Sequence, residues 1–388
     1  MKTVGIVAEY DPFHNGHAWQ LAEARRLSGA DAVVVVMSGF FTQRGSPACL
    51  SPFDRAACAL GGGADLVALL PAVWSLRSAE GFALGAVRIL QGLGANLLSF
   101  GAEIPDADLL RRTADRMDSP EVREALRQGL ASGLGWPAAM DQALRQTEAD
   151  LPSLMQYPNC ALAVAYLRAA SQLHYEPEII PVQRSHPHHA SERNGAFASG
   201  SGIREALSHH DWTMVDAAVP ASSSHCLHEA ADHGRLVFPS RLEQAMMARL
   251  RTMEKEDFAA LPDVSEGLDQ ALMNAARASV TREQVLDLVS GKRYPRARVN
   301  RLCTAALLGL RREGLPSLPD CALIIGVRSG MESLLRPSES DFPLLVRSRD
   351  YPFDAPWFRA EKRAADLWAL AAGLPAGLWE QAPLIKAY

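Results

Sequence analysis

Apolar runs and amphipathic stretches alternate along the first part of the chain. Thr3 to Ala8, Ala32 to Met37 and Leu66 to Leu70 are short β-branched or aliphatic runs, the pattern of strands buried on both faces. Helical spacing follows each of them, from about His17, from about Phe53 and over Glu80 to Leu90, and Asn96 to Phe100 reads as the next strand. This alternation predicts a parallel α/β sheet with ligands at the carboxyl ends of its strands. Asp106 to Ala170 is mainly helical, Glu178 to Val182 returns to strand character and Ser201 to Leu207 begins a short helix, so the sheet domain is expected to span residues 1–208.

Between Asp211 and Leu310 the pattern is almost purely helical, broken at Pro220, Pro239, Pro262 and Pro295, which predicts a helical domain over residues 209–315. Alternation restarts with Cys321 to Val327 and Leu344 to Val346 as strands and Pro356 to Ala372 as an amphipathic helix. Residues 316–388 are therefore expected to form a small C-terminal α/β module. No internal repeat or low-complexity tract interrupts this order.

The composition fits a soluble globular chain: 48% of the 388 residues are hydrophobic and 21% charged. The longest apolar runs fall far short of the roughly 20 residues needed to cross a bilayer. Met1 to Ala8 has faint signal character, but Glu9 and Asp11 interrupt it, so a cytoplasmic location and no membrane partner are expected. The cysteines Cys49, Cys58, Cys160, Cys226, Cys303 and Cys321 are scattered without C-x-x-C or zinc-type spacing, which predicts reduced thiols and no metal site. His186, His188 and His189 cluster without a nearby Cys or carboxylate at ligand spacing and read as a solvated loop rather than a zinc site.

Chemistry concentrates where the first strand ends. Val7-Ala8 runs into Glu9-Tyr10-Asp11-Pro12-Phe13-His14-Asn15-Gly16-His17, a tight strand-to-helix turn in which the second histidine opens the helix. A helix amino terminus presents N–H groups to anions, and two imidazoles on the same turn would add donors to a phosphate. An isolated H-x-x-H is more often a metal pair or two turn-capping histidines; its place after the first strand of a parallel sheet favours the nucleotide reading. Gly61-Gly62-Gly63 lacks the Lys-Ser/Thr of a phosphate-binding loop and is expected to end a helix.

His14-Asn15-Gly16-His17 resembles the HIGH signature of class I synthetases and related nucleotidyltransferases. More specifically, the chain resembles the tRNA(Met) cytidine acetate ligases. Glu9 to His17 carries that likeness, together with Met37-Ser38-Gly39, Gln43-Arg44-Gly45, Asp65-Leu66-Val67, Leu70-Pro71, Phe100-Gly101-Ala102-Glu103, Tyr157-Pro158-Asn159, Gln183-Arg184 and Ser199-Gly200-Ser201-Gly202-Ile203-Arg204. Asp11 and Phe40 stand where the family often has Asn, with Phe40 in a loop expected to border the site, and Gly200 and Gly202 loosen the second signature.

The resemblance implies a Rossmann-like HIGH nucleotidyltransferase sheet that activates acetate with ATP, with Mg2+ accompanying it, and transfers acetyl to N4 of the wobble cytidine of elongator tRNA(Met), without zinc or acetyl-CoA. It also implies catalytic roles for His14 and His17. The ATP site would comprise Val7, Ala8, the segment from Glu9 to His17, Gly101, Asn159, Arg184, Ser199, Ser201 and Arg204. Two rival readings stay open: a small-molecule adenylyltransferase of the pantetheine-phosphate type, and a non-catalytic tRNA-binding protein with a relict nucleotide fold.

The net charge of −5 argues against a nucleic-acid partner, but it conceals a local excess. No acidic residue lies between Asp287 and Glu313, where Lys292, Arg293, Arg296, Arg298, Arg301, Arg311 and Arg312 fall. Tyr294 sits among them, so bases stacking on its ring and phosphates held by guanidinium groups would bind the single-stranded part of a tRNA through Lys292, Arg293, Tyr294, Arg296, Arg298 and Arg301. The bland alternative is a solvated basic helix.

Overall fold

Buried β-branched runs take up the strands, and their register follows from burying both faces. Thr3–Ala8 (β1), Ala32–Ser38 (β2), Leu66–Leu70 (β3), Leu97–Ala102 (β4) and Glu178–Gln183 (β5) pair in parallel, with Val4 opposite Val33 and Leu97, and Val34 opposite Leu66. The computed structural model describes residues 1–148, 150–183, 198–265, 267–336, 341–382 and 384–387.

Later strands continue the same sheet. Ala322–Arg328 (β6) pairs antiparallel with β3, Leu344–Leu345 (β7) extends it in parallel, and Ile385–Ala387 (β8) adds to β6, giving eight strands in the order β5-β4-β1-β2-β3-β6-β7 with β8 beside β6. The first five strands are parallel, as expected of residues 1–208, and the strands beyond residue 316 join the same sheet through one antiparallel junction.

β1 lies between β2 and β4, so the chain leaves its carboxyl end toward one side and returns on the other. That position is the switch point at which open α/β sheets bind ligands. Helices Asn15–Ser28, Pro52–Gly61, Ala79–Gly92 and Pro158–Gln172 cover the sheet. Helices between Glu243 and Leu307 bury Met246, Leu250, Leu272, Val285 and Val299 in the core that also contains the strands. A second, smaller core gathers Ile203, Leu207, Val215 and Leu227 around Cys49 and Leu50. The glycine triplet does end a helix, with Gly62 as its cap.

Candidate nucleotide-binding site

At the end of β1 the backbone turns sharply: Tyr10 adopts a φ of 49°, Asp11-Pro12 is cis, and the helix Asn15–Ser28 follows with His14 as its N-cap. The helix therefore starts earlier than the sequence suggests, because His14 closes its first turn. His14 Nδ1 accepts the N–H of Gly16 at 3.1 Å, and His17 Nδ1 accepts the N–H of His14 at 3.3 Å. The two rings stack with centroids 3.6 Å apart. The turn-capping alternative is thus realised, and it has a chemical consequence. A ring nitrogen that accepts a hydrogen bond carries no proton, so in the neutral rings the proton sits on Nε2 of each histidine.

No acidic side chain occupies the first turn, which leaves the positive end of the helix dipole uncompensated there. Gly16 leaves room for its neighbour's ring, since a Cβ at 16 would press on His14 Cε1 at 3.0 Å. Phe13 is buried against Gly62, and the Tyr10 ring packs edge-on to it with centroids 4.8 Å apart.

Arg55 holds this turn against the loop after β2. It is fully buried on the helix Pro52–Gly61 and donates to the carbonyls of Glu9 at 2.5 Å, Leu50 at 3.2 Å and Ser38 at 3.1 Å, and also to that of Gly39. Glu9 is half-buried beside it and accepts the N–H of Gln43 at 2.5 Å. Burial pushes the Glu9 carboxyl above its ordinary value, the Gln43 N–H opposes that, and the nearby Asp11 adds to it. Asp11 accepts the N–H of Cys49 at 2.7 Å.

The second signature meets the first through Asp11. Ser199 caps the helix Gly200–Ser208 by accepting the N–H of Gly202 at 3.2 Å, and its hydroxyl lies 3.0 Å from that of Ser201. Arg204 Nη1 donates to the Asp11 carbonyl and lies 3.2 Å from the Asp11 carboxylate. Gly200 fits this approach, because a Cβ there would stand 3.0 Å from the Asp11 carbonyl oxygen. Its absence of side chain is what lets the two signatures touch.

Gly101 lies in β4 opposite Val182, and Asn159 opens the helix Pro158–Gln172. Asn159 Nδ2 donates to Glu103 at 2.7 Å, and the N–H of Cys160 donates to the same carboxylate at 3.0 Å. Partial burial works against ionisation of Glu103, but these donors prevail and hold its carboxyl below the ordinary value. Asn15 donates to the Ala217 carbonyl at 3.0 Å. Val7, Ala8 and Pro12 frame the turn through their backbone. Arg184 and the histidines 186, 188 and 189 lie outside the described residues.

Sequence reasoning named neither Arg55 nor Glu103 as a site residue. The signal for Arg55 is an arginine on the apolar face of its helix, and for Glu103 the closing residue of Phe100-Gly101-Ala102-Glu103 just ahead of a helix start that needs an anion. The loop after β2 that was expected to border the site does meet the turn, through Gln43, while Phe40 within it is fully buried against Trp368 and Trp379, at ring centroid distances of 5.7 and 6.3 Å.

The basic segment divides. Arg296 pairs with Asp287 at 2.5 Å and with Glu283, acidic residues that precede the strip in the chain, and Arg311 pairs with Asp257 at 3.0 Å. Lys292 and Arg293 are exposed, and the Tyr294 ring carries the guanidinium groups of Arg293 and Arg298 at 5.3 and 5.8 Å from its centroid. Arg298 and Arg301 lie on the helix Arg296–Leu307, which packs on the loop after β2: Asn300 Nδ2 donates to the Arg44 carbonyl at 2.8 Å and Thr304 Oγ1 to that of Gly45 at 2.6 Å.

A family model described as HIGH Nucleotidyl Transferase matches residues 1–374, and this sets the class of protein that the sheet and its capped turn define. The tRNA(Met) cytidine acetate ligase of Acetivibrio thermocellus is 34% identical over 90% of this chain and 89% of its own, and that of Lysinibacillus sphaericus 32% over 96% and 95%. The crystal structure of Thermotoga maritima TmcAL bound with alpha-thio ATP is 25% identical, covers all of both chains (100% and 100%) and superposes with a TM-score of 0.89. The chain belongs to the tRNA(Met) cytidine acetate ligase family.

Proposed function

We propose that this chain is an ATP-dependent ligase that joins acetate to AMP and then moves the acetyl group to N4 of the wobble cytidine in elongator tRNA(Met). An acetate oxygen attacks the α-phosphorus of ATP, and pyrophosphate leaves. The cytidine amine then attacks the acetyl carbonyl carbon, AMP departs, and the amine releases a proton. The observation that carries the reading is the capped turn after β1, whose two Nε2–H groups and uncompensated helix end suit charge developing on phosphate oxygens.

Within that reading, His14 and His17 stabilise the charge, while Arg204, Ser199 and Ser201 hold the triphosphate from the second signature. Gly101 and Asn159 flank the nucleotide, Asn159 being oriented by Glu103. Among the described residues no group of three or more His, Cys, Asp or Glu side chains is placed to hold a metal ion, so Mg2+ would ride mainly on the phosphates. Residues 1–208 would form the adenylate, residues 209–315 would bind tRNA through Lys292, Arg293, Tyr294, Arg298 and Arg301, with Arg296 joining if phosphate displaces its carboxylates, and residues 316–388 would complete the scaffold. No described helix is long and apolar enough to cross a membrane. A cytoplasmic location, where ATP and tRNA are both available, fits this chemistry.

Mass spectrometry of tRNA nucleosides after incubation with ATP and labelled acetate, without acetyl-CoA, tests the reading. Labelled N4-acetylcytidine with release of AMP is expected. Acetate-independent adenylyl transfer to a small molecule would point to the pantetheine-phosphate type of enzyme instead, and tRNA binding without pyrophosphate exchange to a relict fold.

A further inference from the structure

A cleft of about 590 Å³ opens between the loop that follows β3 and the helical segment, lined by Arg77, Arg298, Arg301, Arg312 and Asp263. Four guanidinium groups therefore face one carboxylate. Three of them are fixed by carbonyl oxygens: Arg77 by Pro316 at 2.7 Å, Arg298 by Asp263 at 2.7 Å and Arg312 by Val264 at 2.7 Å. Carbonyls orient a guanidinium group without neutralising it. Elsewhere Arg25, Arg112, Arg168 and Arg296 are paired with carboxylates, whereas among the described residues none of these four forms an ion pair.

Arg301 is the least satisfied member of the set. Among the described residues its hydrogen-bond acceptor is the Gln43 carbonyl, at 3.5 Å, and the side chain lines the cleft with most of its five N–H donors left for a ligand. Burial lowers its proton affinity, Asp263 raises it, and the neighbouring Arg298 lowers it further. Four like charges facing a single carboxylate are stabilised by a further anion. The planar fork suits the paired oxygens of a phosphate.

Gln43 ties the cleft to the nucleotide turn. Its N–H donates to Glu9 at 2.5 Å, its side-chain amide to the Arg77 carbonyl at 3.2 Å, and its own carbonyl faces Arg301. An anion seated here would hold a fixed register to the reacting centre.

We propose that the cleft of Arg77, Arg298, Arg301 and Arg312 seats a backbone phosphate of the tRNA and so sets the register of the acceptor cytidine against the adenylate. The proposal rests on the tRNA-acetylating reading above, and it adds to the residues assigned to tRNA there Arg77, which lies far from the basic strip in the chain, and Arg312, from the strip's end. The volume exceeds that of a lone phosphate and accommodates a nucleotide unit. Exposed Lys292 and Arg293 continue positive charge along the neighbouring surface, as a polyanion needs.

Binding of tRNA to the full chain at several salt concentrations tests the seat. Arg301→Gln should weaken affinity about tenfold and lower the slope of log affinity against log salt by about 0.7, the value for one contact to a single strand. Asp263→Asn should act in the opposite sense and tighten binding roughly threefold, by removing the one negative charge. Asparagine suits the positive φ of 59° at that position and keeps an acceptor for the Ser78 N–H, so a misfolded variant cannot mimic this gain. Wild-type affinity and slope in both variants would overturn the seat, as would an Asp263→Asn protein that binds inorganic phosphate or pyrophosphate more tightly but tRNA no better. Wild-type chain that fails to acetylate tRNA would bring down the underlying reading, a result separate from either of these.

Discussion

At the end of β1 the proposed donors are two imidazoles, each oriented by a backbone N–H at the start of a helix. In the cleft beside Gln43 they are permanent cations held at the edges by carbonyl oxygens. On the proposed roles the first region obtains its anion affinity from direction, because a transition state places charge at one point and a donor off by an ångström loses most of its effect. The second obtains it from charge, which acts over several ångströms, tolerates a flexible polymer and weakens with salt. The turn should therefore resist salt and tolerate little substitution, while the cleft should behave in the reverse way.

The largest effect that would break this contrast lies in Arg55. Arg55→Met removes a buried cation and leaves the carbonyls of Glu9, Ser38, Gly39 and Leu50 without their donor. Loss of such a group is expected to lower stability by about 3–5 kcal/mol, read as a shift of the urea unfolding midpoint. A loss below about 1 kcal/mol would mean that the turn is not held by Arg55, and that direction at the site comes from elsewhere.

Next come the imidazoles themselves. His14→Ala or His17→Ala should slow acetate-dependent pyrophosphate exchange about 100- to 1000-fold, the usual loss for one charge-stabilising donor, with little change in the salt dependence of tRNA binding. Near wild-type exchange in both variants would remove the rings from the chemistry and leave them as caps alone.

The smallest effect sharpens the contrast through pH. Glu361, on the helix Pro356–Ala371, is fully buried, accepts the N–H of Ala72 at 2.6 Å and approaches Gly39 beside the loop that Arg55 holds. Burial pushes its carboxyl up to about 7. An unfolded glutamate loses its proton near about 4.3, so between that pH and about 7 the folded chain binds more protons and stability falls as pH rises. Glu361→Gln should flatten this fall and be more stable than wild type at pH 8, by roughly 1–3 kcal/mol, in parallel urea titrations at pH 5 and pH 8. An unchanged pH profile would mean that Glu361 ionises normally. Glu361 does not line the cleft, so tRNA binding at fixed salt should not follow the same curve.

Much of the frame is legible in the residues. Thr3–Ala8 and Leu66–Leu70 read as strands at their observed bounds, because short apolar runs closed off by Lys2 and Glu9 in the one case and by Asp65 and Pro71 in the other leave little choice. Strand direction is another matter. Nothing in the period of Ala322–Arg328 says that it runs antiparallel to β3, since alternation and burial are the same either way. The HIGH turn was visible as a motif, but its capping box depends on ring rotamers that a motif does not encode.

Contacts between distant segments were hidden for a simpler reason. Arg204 meets Asp11, and Arg296 meets Glu283 and Asp287, through folding that brings together charges the sequence keeps apart or leaves just outside the counted window. Arg77 is likewise separated from Arg301 along the chain, so the cleft could not be seen by scanning a basic run. Phe40 shows the same limit from the other side: its loop lies beside the site as expected, but the packing of Trp368 and Trp379 that draws its ring inside could not be read from the chain.

The antiparallel pairing of β3 with β6 bears on synthesis as well as on architecture. Leu66 and Val67 find their partners in Val327 and Gly326, so a ribosome delivers one side of this ladder long before the other. During that interval β3 presents an uncovered, strongly aliphatic edge, the kind of surface that recruits stray strands or a chaperone. Translation that halts between the two would release a polypeptide carrying the nucleotide turn intact but with its sheet unsealed, prone to self-association.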